Sequence, residues 1–187
     1  SLALSADGNT LIVGASKYNG LAGQSSGAAS VYTLSANDDW SLKGNLIEGV
    51  AAGDKAGISV GISRDGEVVA VGSQLNDNEN GNSAGHVRIF QYTRTNNDES
   101  WIQLGQAILG QSSSETFGSS LALSKDGSTI VIGAPNKSVT YYEGNVRVFR
   151  YFDELMEWKQ IGNDIIGNVA GGGLGGKLSI SEDGKII

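Results

Sequence analysis

The 187-residue sequence has no cysteine, one proline, one histidine and one methionine. Without cysteine there is no disulfide, no thiolate nucleophile and no cysteine-ligated metal, although the compartment stays open. His86 is the one imidazole, so a Ser-His-Asp triad would have to be built on it. No apolar run approaches the ~20 residues that cross a bilayer as a helix, and direct membrane insertion is not expected. Basic residues are outnumbered, 13 Lys and Arg against 20 Asp and Glu, for a net charge of −7. That balance disfavours nucleic-acid backbones and anionic membrane surfaces, and it favours solubility without naming a partner. Helical periodicity with caps is missing too. The best stretch, Asp153–Trp158, is too short to stand alone.

What the chain does have is glycine, 28 residues of it, and short alternating apolar runs, the profile of an all-β chain with many turns. Asp-Gly pairs stand at Asp7-Gly8, Asp65-Gly66, Asp126-Gly127 and Asp183-Gly184. Trp40, Trp101 and Trp158 keep the same beat, as does the segment Val87-Arg88-Ile89-Phe90 with its copy Val146-Arg147-Val148-Phe149. Three markers sharing one period of 57–61 residues describe a tandem repeat.

Each unit reads as four strands. The first is expected at Leu2–Ser5, Ile58–Ser63, Leu121–Ser124 and Leu178–Ser181, ahead of an Asp-Gly turn. The second is expected at Thr10–Gly14, Val68–Gly72, Thr129–Gly133 and Lys185–Ile187, and its near-continuous Val and Ile content predicts burial on both faces. The third is expected at Ala29–Leu34, Val87–Tyr92 and Val146–Tyr151, and the fourth opens on the tryptophan. Four antiparallel strands repeated in tandem predict β-propeller blades, because a lone blade exposes two apolar faces that stacking buries. The expected units are 1–57, 58–118, 119–176 and the start of a fourth at 177–187. Three blades are too few for a ring, which typically takes ~4–8. The chain is therefore expected to be an excerpt of a longer one, or a unit whose copies assemble to close the ring.

Phe117-Gly118, followed after two strands by Gly133-Ala134-Pro135, resembles the FG-GAP repeats of integrin α-subunit propellers. The phrasing from Gly53 to Val60, with Ser63-Arg64-Asp65-Gly66 and the strand after it, looks like extracellular FG-GAP-like repeats of microbes and algae. The resemblance implies a propeller at the cell surface or outside the cell. Integrin-type blades often bind calcium between these two strands. Here the connections Ser63-Arg64-Asp65-Gly66 and Ser124-Lys125-Asp126-Gly127 lack the spaced carboxylates that calcium needs, so no metal or other cofactor is expected.

Each conspicuous residue also has a plain structural reading. Asn76-Asp77-Asn78-Glu79-Asn80-Gly81 echoes a calcium loop, but its ligand positions are neutral and its twelfth is Val87, so a solvated turn is expected. Trp40, Trp101 and Trp158, which could stack on sugars, are expected to pack between blades, and Asp7, Asp65, Asp126 and Asp183 to shape the repeated turns. Arg88 and Arg147, in equivalent strands, could line a channel or bind an anion, and are expected instead in ion pairs or on a solvated strand face. Gly171–Gly176 is expected to be a linker, not a phosphate loop. Asn136-Lys137-Ser138 is an N-glycosylation acceptor pattern on Asn136.

With no catalytic residues assigned, the chain is expected to be a non-catalytic extracellular module for adhesion or assembly. Its partner would be a protein or a carbohydrate, and nucleic acid is not expected. One alternative is a lectin or hydrolase with its site on propeller loops or in further blades. The other, an intracellular scaffold, fits less well because WD repeats run ~40–45 residues.

Overall fold

The computed structural model describes residues 1–96, 98–136 and 143–187. The described residues form three five-stranded antiparallel sheets and no helix. Sheet 1 contains β1 (Leu2–Leu4), β2 (Thr10–Ala15), β3 (Ala28–Leu34), β4 (Trp40–Leu42) and β5 (Ile47–Glu48). Sheet 2 contains β6 (Ser59–Ile62), β7 (Val68–Ser73), β8 (His86–Arg94), β9 (Glu99–Gln103) and β10 (Ile108–Leu109). Sheet 3 contains β11 (Ser120–Leu123), β12 (Thr129–Ala134), β13 (Asn145–Phe152), β14 (Glu157–Gln160) and β15 (Ile165–Ile166). In each, the first three strands pair in chain order, and the fourth and fifth share the far edge of the third.

The first hairpin owes its register to one serine and one aspartate. Ser5 Oγ donates to Asp7 Oδ1 at 2.6 Å, Asp7 Oδ1 accepts the Asn9 N–H at 3.0 Å, and Ser5 Oγ accepts the Thr10 N–H at 2.9 Å. The aspartate thus folds back on its own backbone as an Asx turn. The same bonds recur at Ser63 with Asp65, Ser124 with Asp126 and Ser181 with Asp183.

The fourth strand is longer than its tryptophan signal suggests. β4 and β5 are one outer strand interrupted at Lys43–Leu46, and β9–β10 and β14–β15 repeat the break. At the break Gly44 takes a φ of 71°, which lets the next sheet's tryptophan sit on it. A Cβ on Gly44 would lie 2.9 Å from the Trp101 ring. Trp101 Nε1 donates to the Lys43 carbonyl at 2.7 Å, and its N–H donates to Asn45 Oδ1 at 2.7 Å. Trp158 repeats this on the Leu104 carbonyl at 2.8 Å and on Gln106 Oε1 at 3.0 Å. Trp40, on a face of sheet 1 that meets no other sheet among the described residues, is 45% exposed.

Face-to-face stacking makes the core. Ile12, Val31, Val69, Val71, Phe90 and Trp101 fill the seam between sheets 1 and 2. Ala70, Ile89, Phe117, Ile130, Ile132, Phe149 and Trp158 fill the seam between sheets 2 and 3. Val69 and Val71 point one way and Ala70 the other, so β7 is covered on both sides as its composition predicts.

The strands expected at Leu178–Ser181 and Lys185–Ile187 do not form a ladder. The turn between them does form, and Leu178 and Ile180 lean on Val131, Val146 and Val148 of sheet 3.

Candidate functional site

The first strands of the three sheets, β1, β6 and β11, run side by side, and their start lines a cleft of about 510 Å³. Leu2, Val60 and Leu121 supply its apolar wall, Ser59 and Ser120 its hydroxyls, and Lys177 its cation. The hydroxyls are occupied. Ser1 Oγ donates to the Gly57 carbonyl at 2.8 Å, Ser59 Oγ to Gly118 at 2.6 Å and Ser120 Oγ to Gly175 at 2.6 Å. Each bond ties a first strand to the connection leading into the next unit. Among the described residues no base is bonded to these serines, so their hydroxyls are engaged as backbone ties rather than as activated nucleophiles.

At the other end of the same strands the four Asp-Gly turns are linked in succession. Ala6 N–H donates to the Arg64 carbonyl at 3.1 Å, Arg64 N–H to Lys125 at 2.7 Å, and Lys125 N–H to Glu182 at 3.1 Å. Arg64, Asp65, Lys125, Asp126, Glu182 and Asp183 surround a hollow of about 520 Å³ there, and Lys125 pairs with Glu182. Hydrogen bonds from Ser5 and the Asn9 N–H hold Asp7 below the usual carboxylate range, and Ser181 and the Lys185 N–H do the same for Asp183. Burial pushes Asp126 up, but bonds from Ser124 and Ser128 outweigh it and leave it lowered. Carboxylates held ionised in this way make weak general bases. Asp65 has the same local bonds, from Ser63 at 2.6 Å and the Glu67 N–H at 3.1 Å.

The remaining candidates lie apart from the cleft. Asn136 is exposed in a turn after β12, while Lys137 and Ser138 of its acceptor pattern lie outside the described residues, as does Asn97 of the β8–β9 loop. In the calcium-like loop Asn76 donates to the Asp54 carboxylate, while Asn78 and Asn80 brace backbone at the Gly85 and Gly110 carbonyls. Among the described residues no group of three His, Asp or Glu is placed to hold a metal. Arg147 pairs with Glu115, whereas Arg88 donates to the Glu48 carbonyl. Burial and the neighbouring Arg88 push His86 down to about 4, so it is neutral at pH 7.

Two features escape the sequence reading. Asp54 and Glu115 occupy matching places in the inter-sheet connections, where each carboxylate accepts two backbone N–H groups. Their 61-residue spacing was the available signal. In addition, Gly23-Gln24-Ser25-Ser26-Gly27 and Gly81-Asn82-Ser83-Ala84-Gly85 match the Gly-x-Ser-x-Gly spacing of a nucleophile elbow. Both serines are left-handed, at φ 51° and 50°. Each sits between two antiparallel strands rather than before a helix, its N–H held by Asn19 or Asp77. The first copy has Ala28 where the second has His86, so the repeated conformation serves the loop.

No family model and no curated protein matches the chain. Solved structures do. A candidate 6-phosphogluconolactonase from Bacteroides uniformis matches with a TM-score of 0.57 and 16% identity, over 98% of this chain and 44% of that one. Another from Bacteroides fragilis matches at 0.53 and 15%, over 90% and 39%. A periplasmic gluconolactonase from Pseudomonas aeruginosa matches at 0.47 and 16%, over 90% and 42%. The chain spans less than half the length of each, and at these identities the likeness is one of fold.

These matches correct the expected kinship with integrin-type FG-GAP propellers, and with it the non-catalytic adhesion or structural role drawn from that kinship. The motif has a packing explanation. Phe117 is fully buried, edge-on to Phe149 at 6.2 Å. A Cβ on Gly133 would lie 2.1 Å from the Gly175 carbonyl, and one on Gly72 would lie 2.3 Å from Gly118. Phe-Gly and Gly-Ala-Pro thus mark where neighbouring sheets bring their backbones together, a requirement of stacked sheets in any lineage.

Proposed function

We propose that the chain is part of a β-propeller belonging to a hydrolase of sugar lactones, with the cleft at β1, β6 and β11 holding the substrate. The observation that carries this reading is the match over 98% of the chain to a candidate 6-phosphogluconolactonase at a TM-score of 0.57. The face-to-face sheets, the adjacent first strands and the linked turns support the propeller. Completion of the ring, by further units or by other copies, belongs to the same proposal.

The cleft has the chemistry to receive such a ligand. Lys177 offers a cation to a carboxylate or phosphate, and Leu2, Val60 and Leu121 offer a surface for a sugar ring. Hydrolysis adds water to the lactone carbonyl carbon and breaks its ring C–O bond, and the departing alkoxide takes a proton. The cleft residues are assigned to binding and orientation, with water activation left to a group outside this set. An exported location is also part of the proposal, supported by the acceptor pattern that begins at exposed Asn136.

The test is acid release from glucono-δ-lactone and its 6-phospho form by the full protein near neutral pH. Acceleration over buffer is expected, with Lys177→Ala raising KM about 10-fold or more and leaving kcat nearly unchanged, as loss of a charged hydrogen bond implies. Hydrolysis no faster than in buffer would sink the proposal.

A further inference from the structure

The seam between sheets 1 and 2 and the seam between sheets 2 and 3 use equivalent positions, with one difference in carboxylate length. In the second seam Glu115 and Arg147 are both fully buried and paired, and the Arg147 guanidinium lies 4.2 Å from the centre of the Phe117 ring. In the first seam Asp54 stands where Glu115 stands in the other. Its carboxylate accepts the Val50 and Ala51 N–H groups at 3.3 and 3.0 Å and both oxygens take Asn76 Nδ2 at 3.1 Å. Arg88, the counterpart of Arg147, therefore has no carboxylate partner among the described residues, and its Nη2 donates to the Glu48 carbonyl.

Three buried polar atoms gather on this face of sheet 2. Ser73 Oγ, His86 Nε2 and Arg88 Nε have no hydrogen-bond partner among the described residues. Ser73 and His86 are 0% and 3% exposed. The register pairs Ser73 with His86 and Val71 with Arg88, so all three side chains share one face as cross-strand or alternate-residue neighbours. We propose that this face is a binding site for a small carboxylate anion, held by Arg88, His86 and Ser73 as Glu115 is held by Arg147 in the next seam.

A hydroxyl, an imidazole N–H and a guanidinium N–H can all donate to the same anion. Burial pushes Arg88 down, with nearby Asp54 acting in the opposite sense, so the guanidinium is a partly desolvated cation. A carboxylate would pair it and give the two neutral groups an acceptor. Glu115 shows which anion the equivalent arginine takes in this protein, and it is a planar carboxylate rather than a tetrahedral oxyanion.

The experiment is a titration of the full chain with acetate against chloride at constant ionic strength, followed by the His86 ring resonances and by Tm. A saturable shift of the His86 signals with a rise in Tm specific to acetate is expected. Asp54→Glu, which gives the first seam the longer carboxylate that the second already tolerates, is expected to weaken acetate binding at least tenfold, and Arg88→Gln likewise. If Arg88→Gln fails to fold, the wild-type titration and Asp54→Glu still decide. His86 signals that ignore acetate, equal responses to acetate and chloride, or wild-type affinity in Asp54→Glu would each overturn the proposal.

Discussion

Arg147 and Glu115 form an ion pair in which both side chains are buried, at 1% and 0% exposure, and the same carboxylate accepts the Ser112 N–H at 3.1 Å. Removing one partner strands the other charge. Glu115→Ala or Arg147→Ala is expected to destabilise by ~3–5 kcal/mol in urea unfolding. The double change Glu115→Ala with Arg147→Ala is expected to cost less than the two single losses combined, because no buried charge remains. Additive losses in the double-mutant cycle would contradict a coupled pair.

Gly105 and Gly162 occupy equivalent outer-strand breaks with nearly the same φ, 70° and 73°. A Cβ on Gly105 meets Trp158 at 3.0 Å and Tyr151 at 3.1 Å, whereas one on Gly162 meets nothing within 4 Å. Both Ala substitutions carry the left-handed strain of roughly 1–2 kcal/mol. Gly105→Ala is expected to lose a further ~1–3 kcal/mol by overpacking the tryptophan. Equal losses of Tm in the two variants would exclude that steric part.

His86 has a lowered pKa because burial and Arg88 both oppose its charge. Above pH 6.5 it is neutral in the folded and unfolded chain alike. Between about 6.5 and 4 only the unfolded chain takes the proton, so stability falls as pH falls, by about 3 kcal/mol over that window. Asp7, Asp126 and Asp183, all lowered from 3.8, lose their contribution only at still lower pH, as they take protons. Urea unfolding at pH 7, 5.5 and 4 should therefore show a decline that His86→Gln removes. The same slope in that variant would assign the decline to other groups.

Met156 is 72% exposed in the β13–β14 turn and left-handed at φ 50°. Glycine adopts that conformation without Cβ strain and gives up little packing here. Met156→Gly is expected to stabilise by ~0.5–1 kcal/mol, a net of left-handed strain relieved and unfolded-state entropy gained. A lower Tm would show that the Met156 side chain contributes to the turn.

Much of this fold is written locally. The Ser-x-Asp-Gly turn closes its hydrogen bonds within six residues, so Ser5 to Thr10 and each of its copies can be read from sequence spacing, as can the alternation that aims Val69 and Ala70 at opposite seams. The three tryptophans were legible as repeated positions. Their acceptors were not, because Trp101 bonds a carbonyl 58 residues away. The outer strand runs further than its sequence signal, since its continuation at β5, β10 and β15 is two residues long and defined only by its pairing with the third strand.

The candidate sites divide along the same line. Sequence alone determined the repeat, the all-β character and the turn chemistry, because those depend on neighbours in the chain. Only tertiary structure decided that Arg88 and Arg147, alike in local sequence, end on different partners. One methylene separates Asp54 from Glu115, and whether it reaches the arginine depends on a sheet face and a connection tens of residues apart. The cleft at β1, β6 and β11 was likewise invisible, since it exists only where strands from three sheets come side by side. Phe117-Gly118 was legible as a motif and misleading as an ancestry, because stacked sheets impose the same close approach whatever the protein does.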